Sequence, residues 1–496
     1  MKPGAFMQQS RVMSEPKVLA TNTDPTKAGA FAAATSTTAS ATAPLRWREK
    51  ISYGLGDMGF NFYWANISAF LLIYYTDVFG ISAAAAGTMM LITKIIDAVT
   101  DPLMGALADR TQSRFGKFRP YLLWMALPLA GAGVLTYSTP DLSENGKLLW
   151  AYGTYSLLML CYTAINIPYS ALSGVMTGDS QQRTQLVSLR FIGGFSGGIV
   201  VTYLTPKLVV WLGQGNEALG WQLTMGCFGI AAALMFLITF FGSRERVQPI
   251  AAQPAAVSQD LKDLLHNKAW LVLFALALII MVTITMRASS AVYYLKYYLQ
   301  RPDLVGEFLS SYMLALALGA ACTPLMTKFL GKKPLLMLLM TLVGLLSISL
   351  YFVPPDAVSL IFGLNLLIGF LLGPKSPLAF SMYADTADDN ECRTGRRATA
   401  MTFAAATFSQ KLGGALASAM IGWLLAAIGY VANAEQSAGS QQGILWLMTI
   451  IPGVIALLAA WVMRFYPLTE AKLSVIQQQL QAQKAAAATH SSSGAV

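Results

Sequence analysis

Residues 84–120 read AAAGTMMLITKIIDAVTDPLMGALADRTQSRFGKFRP. As a helix, the run 84–109 is long enough and apolar enough to span a bilayer. Lys94, Asp97 and Asp101 sit inside it. Charges are costly in hydrocarbon, so these three must face a partner or a water-filled cavity. Arg110, Arg114, Lys117 and Arg119 follow at once, a basic cluster of the kind that stays on the cytoplasmic side of a membrane. This one stretch predicts a membrane-crossing helix with a polar site in its middle and an anchored end.

The rest of the chain repeats the theme. Eleven further apolar segments lie near 52–77, 120–138, 148–176, 186–211, 220–243, 268–299, 304–329, 334–353, 357–384, 397–428 and 443–466. The predicted fold is therefore all-α and polytopic, with twelve transmembrane helices in two six-helix bundles. The expected divisions are a tail over 1–45, an N-terminal bundle over 46–243, a middle loop over 244–267, a C-terminal bundle over 268–466 and a tail over 467–496. The stretch AFAAATSTTASATAP in the first tail lacks the large apolar residues needed to order itself and reads as disordered. It also lacks the continuous apolar core of a signal peptide. The second tail opens as a short amphipathic helix, LSVIQQQLQAQ.

Composition agrees. Of 496 residues, 55% are hydrophobic and 12% are charged, against roughly a quarter charged in soluble domains. Four scattered cysteines and two histidines suggest no disulfide framework, zinc site or histidine relay. No nucleophile constellation is visible, so an enzyme is not expected. The net charge of +10 is explained by topology. With both termini inside, the inner loops hold fifteen basic residues: Arg110, Arg114, Lys117, Arg119, Arg183, Arg244, Arg246, Lys262, Lys268, Lys328, Lys332, Lys333, Arg393, Arg396 and Arg397. The outer loops hold four, Lys147, Lys207, Lys296 and Arg301. That asymmetry places both termini in the cytoplasm and makes nucleic-acid binding unnecessary.

The two halves resemble each other weakly. The fourth span enters its loop as IPYSALSGVMTGDSQQRTQLVSLRFIGG, and the tenth enters its own as SPLAFSMYADTADDNECRTGRRATAMTF, with the eleventh continuing to LGG. Each has a proline, small residues, an acidic turn, an Arg-Thr or Arg-Arg pair and a helix ending in paired glycines. Internal repeats of this kind build secondary carriers whose substrate binds between the halves.

Asp97 and Asp101 are four apart, one turn along one helix face, with Thr100 beside them. Two carboxylates this close must share a proton, share a cation or have a basic neighbour. Na⁺ at Asp97 and Asp101 is one reading and a proton is the other; a structural ion pair with Lys94 or Lys411 is the alternative to both. Lys411 lies in mid-span beside Gly413 and Gly414 and needs an anionic partner. Asn61 and Trp64 share a face of the first span, with Asp57 a turn earlier. Tyr162 and Asn166 share a face of the fourth. Amides and aromatic faces suit sugars, although aromatics also form interfacial belts. Arg190 either snorkels to the headgroups or aims its donor fork into the cavity. Asp109 and Arg110, at the end of the second span, are candidates for a gating latch broken by rocking.

YGLGDMGFNF, YYTDVFG, KIIDAVTDPLMG, RFGKFRPYLLW, YTAINIPYSAL and MYADTAD…RTGRRAT resemble the glycoside–pentoside–hexuronide:cation symporters, a branch of the major facilitator superfamily that includes the melibiose carrier. The likeness runs from about 48 to 475. It implies alternating access and sugar uptake driven by Na⁺, H⁺ or Li⁺. By position it implies a cation site of Asp97, Asp101, Thr163 and Lys411, and sugar-site roles for Arg190 and Thr407. Two aspartates that grip the sugar in the melibiose carrier are replaced by Asn61 and Asn166, a nearby lysine by Phe60, and a tryptophan by Ser170. The cation site looks kept and the sugar grip rebuilt. An acidic sugar, with Arg190, Arg287 or Lys375 as counter-charge, is a further reading.

The function expected is symport of a sugar or glycoside with Na⁺ or H⁺ across a bacterial inner membrane. No cofactor is expected, and the partners are sugar, coupling cation and lipid, with the carrier a monomer. The alternatives are a major facilitator exporter of small organic molecules and a non-transporting membrane sensor.

Overall fold

The computed structural model describes residues 44–177, 180–246, 265–394, 399–476 and 478–479. The first tail up to residue 43, most of the middle loop and the end of the second tail lie outside them. The helices are α1 (Trp47–Ile73), α2 (Ala83–Arg110), α3 (Arg119–Trp124), α4 (Ala126–Thr136), α5 (Glu144–Met176), α6 (Ser180–Gly213), α7 (Glu217–Gly242), α8 (Lys268–Tyr293), α9 (Val305–Leu330), α10 (Lys332–Ser349), α11 (Val358–Leu372), α12 (Lys375–Thr394), α13 (Thr399–Ala427), α14 (Ala438–Met448) and α15 (Ile450–Met463). Each of the twelve predicted spans is helical. The third, tenth and twelfth are broken, into α3–α4, α11–α12 and α14–α15. Among the described residues, nine helical stretches are long and apolar enough to cross a membrane. α1, α3–α4 and α13 complete the twelve.

Local chemistry sets the starts. Ser82, Ser143, Asn216, Asn267 and Ser437 each accept a hydrogen bond from a backbone N–H in the first turn of the following helix, satisfying donors that the helix itself cannot. α3 is capped from a distance. The Glu245 carboxylate accepts from the backbone N–H groups of Lys117, Phe118 and Arg119 at 2.8–3.0 Å, a favourable place for an anion. The basic loop after α2 is therefore pinned within its own half.

Glycines let the helices approach. A Cβ on Gly193 of α6 would lie 2.1 Å from the Gly54 carbonyl oxygen of α1. A Cβ on Gly413 of α13 would lie 2.5 Å from the Leu278 carbonyl oxygen of α8. The paired glycines of the internal repeat thus do equivalent work: the fifth span packs on the first, and the eleventh on the seventh. Gly193→Ala is expected to push α6 from α1 and cost about 1–3 kcal/mol, read as a lower Tm of the purified protein. An unchanged Tm would contradict the tight crossing.

The halves meet through α2 on α13, α1 on α8 and α6 on α9. At the α2–α13 crossing, a Cβ on Gly422 would lie 2.3 Å from the Ala83 carbonyl oxygen. The second tail begins as a helix at residue 470. Its Leu473 and Ile476 are buried, with Leu468, in a cluster that includes Ala269 and Leu273 of α8.

Candidate functional site

Three helices converge on the acid pair. α2 carries Asp97 and Asp101, α5 from the same half carries Thr163, and α13 from the other half carries Lys411. Asp97 is 2% exposed, and the Lys411 Nζ lies 3.0 Å from its Oδ2. The same ammonium donates to Asp101 Oδ2. Thr163 donates to Asp97 Oδ1 and lies 3.1 Å from Asp101 Oδ1. Each carboxylate thus presents one oxygen to the threonine and one to the lysine. Of the possible resolutions of two close acids, a basic neighbour is the one seen, and Lys411 takes that role across the junction of the halves. Thr100 does not join them: its hydroxyl donates to the Asp97 carbonyl at 2.9 Å, as helical threonines commonly do.

Lys94 takes a different partner. It is buried, and its ammonium sits 4.4 Å from the centre of the Trp64 ring, a cation–π contact. One face of Trp64 is therefore covered from the helix that carries the acids. Because Lys94 precedes Asp97 by three residues, it links the acid pair to the aromatic cluster.

That cluster lies along α1 and α5, and Arg190 of α6 packs against it. The Trp64 and Tyr162 rings are 6.5 Å apart, and Phe60 meets Tyr162 edge-on at 5.4 Å. Arg190 aims into the protein rather than toward headgroups. Its Nε lies 2.7 Å from Asp57 Oδ1, its Nη1 is 3.2 Å from Ser170 Oγ, and its guanidinium stacks over Tyr169 at 5.2 Å. Asn61 donates to the Asp57 carbonyl at 3.0 Å and approaches Asp57 Oδ2 at 3.4 Å. Gly194 makes room, since a Cβ there would meet Asp57 Oδ2 at 2.6 Å. Asn166 is half-buried, and among the described residues no hydrogen bond holds its amide. Tyr162, Asn166 and Ser170 recur every four residues on one face of α5. Thr407 is exposed, one turn before Lys411.

Asp57 is the residue that sequence reading underweighted. It satisfies the rule that picked out Asp97, a charge inside an apolar span, and lies one turn before Asn61. Arg287 is a correction. Instead of facing the central cavity it is buried within the C-terminal half, bonded to Ser347, Asn365 and the Met448 carbonyl. Asp109's side chain lies outside the described residues. Arg110 is exposed and has no ion pair among them.

The halves are also joined at the end where α1 gives way to α2. There, Asp77 accepts from Lys296 at 2.7 Å and from the hydroxyls of Tyr297 and Tyr430, and Asn433 donates to its carbonyl. Lys207 and Glu307 pair nearby at 2.8 Å. At the opposite end, Glu49–Arg246 and Lys332–Asp385 stay within their own halves. The two bundles are thus bonded at one end and in mid-membrane. Among the described residues no ion pair crosses at the other end.

The chain is similar to known proteins over most of its length. A family model described as MFS/sugar transport protein matches residues 52–470. The chain is 38% identical to the inner membrane symporter YicJ of Escherichia coli (strain K12), over 87% of this chain and 94% of that one. It is 33% identical to the isoprimeverose transporter of Lactiplantibacillus pentosus, over 89% and 93%. A solved D-xylose–proton symporter shares the fold, with a TM-score of 0.61 at 16% identity, covering 86% of this chain and 98% of that one. The match spans both halves and every helix that carries the acid pair, the lysine and the arginine. With two joined helical halves and charges buried at their junction, this chain belongs to the MFS/sugar transport protein family.

Proposed function

We propose that the protein imports a sugar or glycoside by symport with Na⁺ or H⁺, through alternating access, in a bacterial inner membrane with both termini cytoplasmic. The observation that carries this reading is Lys411, which reaches from one half to two carboxylates of the other. An ammonium there does in the empty carrier what a coupling cation does in the loaded one: it neutralises Asp97 and Asp101. A cation arriving from outside displaces it, and Thr163 supplies a neutral oxygen. Further ligands to Na⁺ would be neutral oxygens of the same kind. Freeing Lys411 loosens the junction, and sugar binds between the halves. Each ligand then favours the other by linkage. The division into bundles over 46–243 and 268–466, with cytoplasmic segments over 1–45, 244–267 and 467–496, belongs to the same reading. So does a latch at Asp109 and Arg110 that closes the inner end in the other conformer.

The sugar grip on this reading is Asn61, Trp64, Tyr162, Asn166, Arg190 and Thr407, with Asp57 added. The acidic grip that the family resemblance puts at Asn61 and Asn166 is shifted one turn, to Asp57, which keeps a charge-assisted acceptor for hydroxyls. Asp57→Asn is expected to raise the half-saturating sugar concentration at least about tenfold, the scale of one hydrogen bond to a charged group. Cation affinity should stay within twofold of the unaltered protein, by about the same arithmetic. Equal losses in both would place Asp57 outside the sugar grip.

The overall test is a sugar pulse given to energy-depleted cells in weak buffer, with medium pH and external Na⁺ recorded across neutral glycosides, pentosides and hexuronides. Alkalinisation or Na⁺ disappearance on one sugar, lost in an Asp97→Asn strain, supports symport and names both ligands. Silence across the panel, with the protein verified in the membrane, overturns it.

A further inference from the structure

The tenth span breaks after α11, and Lys375 opens its second part, α12, about halfway along the apolar stretch Val358–Arg393. α12 stands where the halves meet. Its Tyr383 donates to the Leu273 carbonyl of α8 at 2.9 Å, and its Phe380 meets Phe191 of α6 edge-on at 6.2 Å. Lys375 is enclosed by protein, yet its side chain is only half-buried, so the surface it keeps is that of an internal cavity. Among the described residues it has no hydrogen bond and no ion pair. Charges at this depth are otherwise matched, and the other mid-span charges are. Asp57 meets Arg190, Asp97 and Asp101 share Lys411, Lys94 lies over Trp64, and Arg287 is bonded within its own half. At the junction of the halves, Asp57 cancels Arg190, and Asp97 and Asp101 cancel Lys94 and Lys411. Lys375 is left as a positive charge in excess.

On the symport reading above, we propose that the transported sugar carries one carboxylate, which pairs with Lys375, and that one such anion and one coupling cation cross together with no net charge moved. The charge count selects an anion. A bound cation adds a second positive charge to the excess one at the junction. A neutral sugar leaves both there, in a low-dielectric interior where like charges repel strongly. A carboxylate returns the junction to the charge that it has when empty. Each ligand therefore lowers the electrostatic cost of the other, which is coupling. The lysine ammonium is a compact point charge and matches one negative charge. A sugar phosphate, carrying roughly two, would leave one unmatched.

The test uses the full-length protein in proteoliposomes under an imposed Na⁺ or pH gradient. Labelled sugars are given in matched pairs: methyl β-glucuronide against methyl β-glucoside, and methyl α-galacturonide against methyl α-galactoside. For the acid of a pair, the half-saturating concentration should be at least about tenfold lower, the scale of one hydrogen bond to a charged group. Lys375→Met should raise the value for the acid about tenfold and leave the neutral partner within about twofold. Lys375→Arg keeps the charge and should keep most of the preference. A K⁺ diffusion potential set with valinomycin, negative inside, should leave accumulation of the acid unchanged. One net charge moved would instead raise it about fortyfold at ~100 mV. If Lys375→Met fails to fold, the paired comparison and the imposed potential still decide. Preference for the neutral members, an acid preference unchanged in Lys375→Met, or accumulation that rises with the potential would each overturn the proposal and leave sugar symport standing. Silence of every acid and neutral compound would overturn the symport reading itself, and this proposal with it.

Discussion

Asp97→Asn is expected to abolish uphill sugar accumulation, by at least about a hundredfold, while the protein still reaches the membrane. The Asp97 side chain is 2% exposed and is held by Lys411 and Thr163. An amide can neither neutralise the ammonium nor hold a proton in its place, and its neutral oxygen is a weaker ligand for a hard cation than a carboxylate. Breaking a buried pair by removing one partner costs about 3–5 kcal/mol, and every 1.4 kcal/mol is about tenfold in a binding constant. Lys411→Gln separates the roles. Two carboxylates then face each other with no internal counter-charge, and a bound cation becomes their neutraliser. Cation affinity should rise while the empty carrier fails to return, so exchange of internal for external sugar persists and net accumulation is lost. Proteoliposomes with an imposed Na⁺ or pH gradient and labelled sugar read both quantities. Normal accumulation by Asp97→Asn would refute the coupling role, and loss of both exchange and accumulation in Lys411→Gln would refute the displacement scheme.

Asp77→Ala is expected to release the end of the molecule where α1 meets α2. One carboxylate of the N-terminal half takes hydrogen bonds from Lys296, Tyr297 and Tyr430 of the C-terminal half, and its side chain is 1% exposed. Charge-assisted bonds are about twice as strong as neutral ones, and here three converge on one buried group. Losing them should move the balance of conformers by about 3 kcal/mol or more, over a hundredfold in population. Spin labels at Asp141 and Glu435, both exposed and on opposite halves, should report a longer distance in Asp77→Ala, in a cysteine-free background. The shift should be smaller in Tyr430→Phe, where one contact is lost. An unchanged distance distribution would show that this cluster does not hold the end shut.

Both effects depend on contacts between residues more than two hundred positions apart, and only part of that was legible beforehand. The carboxylates at 97 and 101 stood out because a charge in an apolar span needs a reason, and Lys411 stood out on the same ground. Periodicity could say that each faced inward. It could not choose between Lys94 and Lys411 as the partner, since both are long, flexible and near in depth. Packing decided: α13 lies against α2 through Gly87 and Gly422, which brings Lys411 to the pair, while Lys94 turns to Trp64. Arg287 shows the opposite outcome. Its place in mid-span suggested the central cavity, and the helix rotation that turns it toward Ser347 and Asn365 has no marker in its own neighbourhood of sequence. Asp77 had none either, because a carboxylate near a span end reads as solvated.

By itself, the sequence determined the twelve helical spans, the six-plus-six division and the family. Those follow from the cost of exposing backbone and charge to hydrocarbon, a local property that each segment carries in its own residues. Tertiary structure alone decided which buried cation meets which acid, that Asp77 ties the two halves together at one end, and that a mid-span arginine is held by Ser347, Asn365 and the Met448 carbonyl within its own half. Each of these depends on helix rotation and close approach, set by glycine contacts between distant segments, and no single segment encodes them.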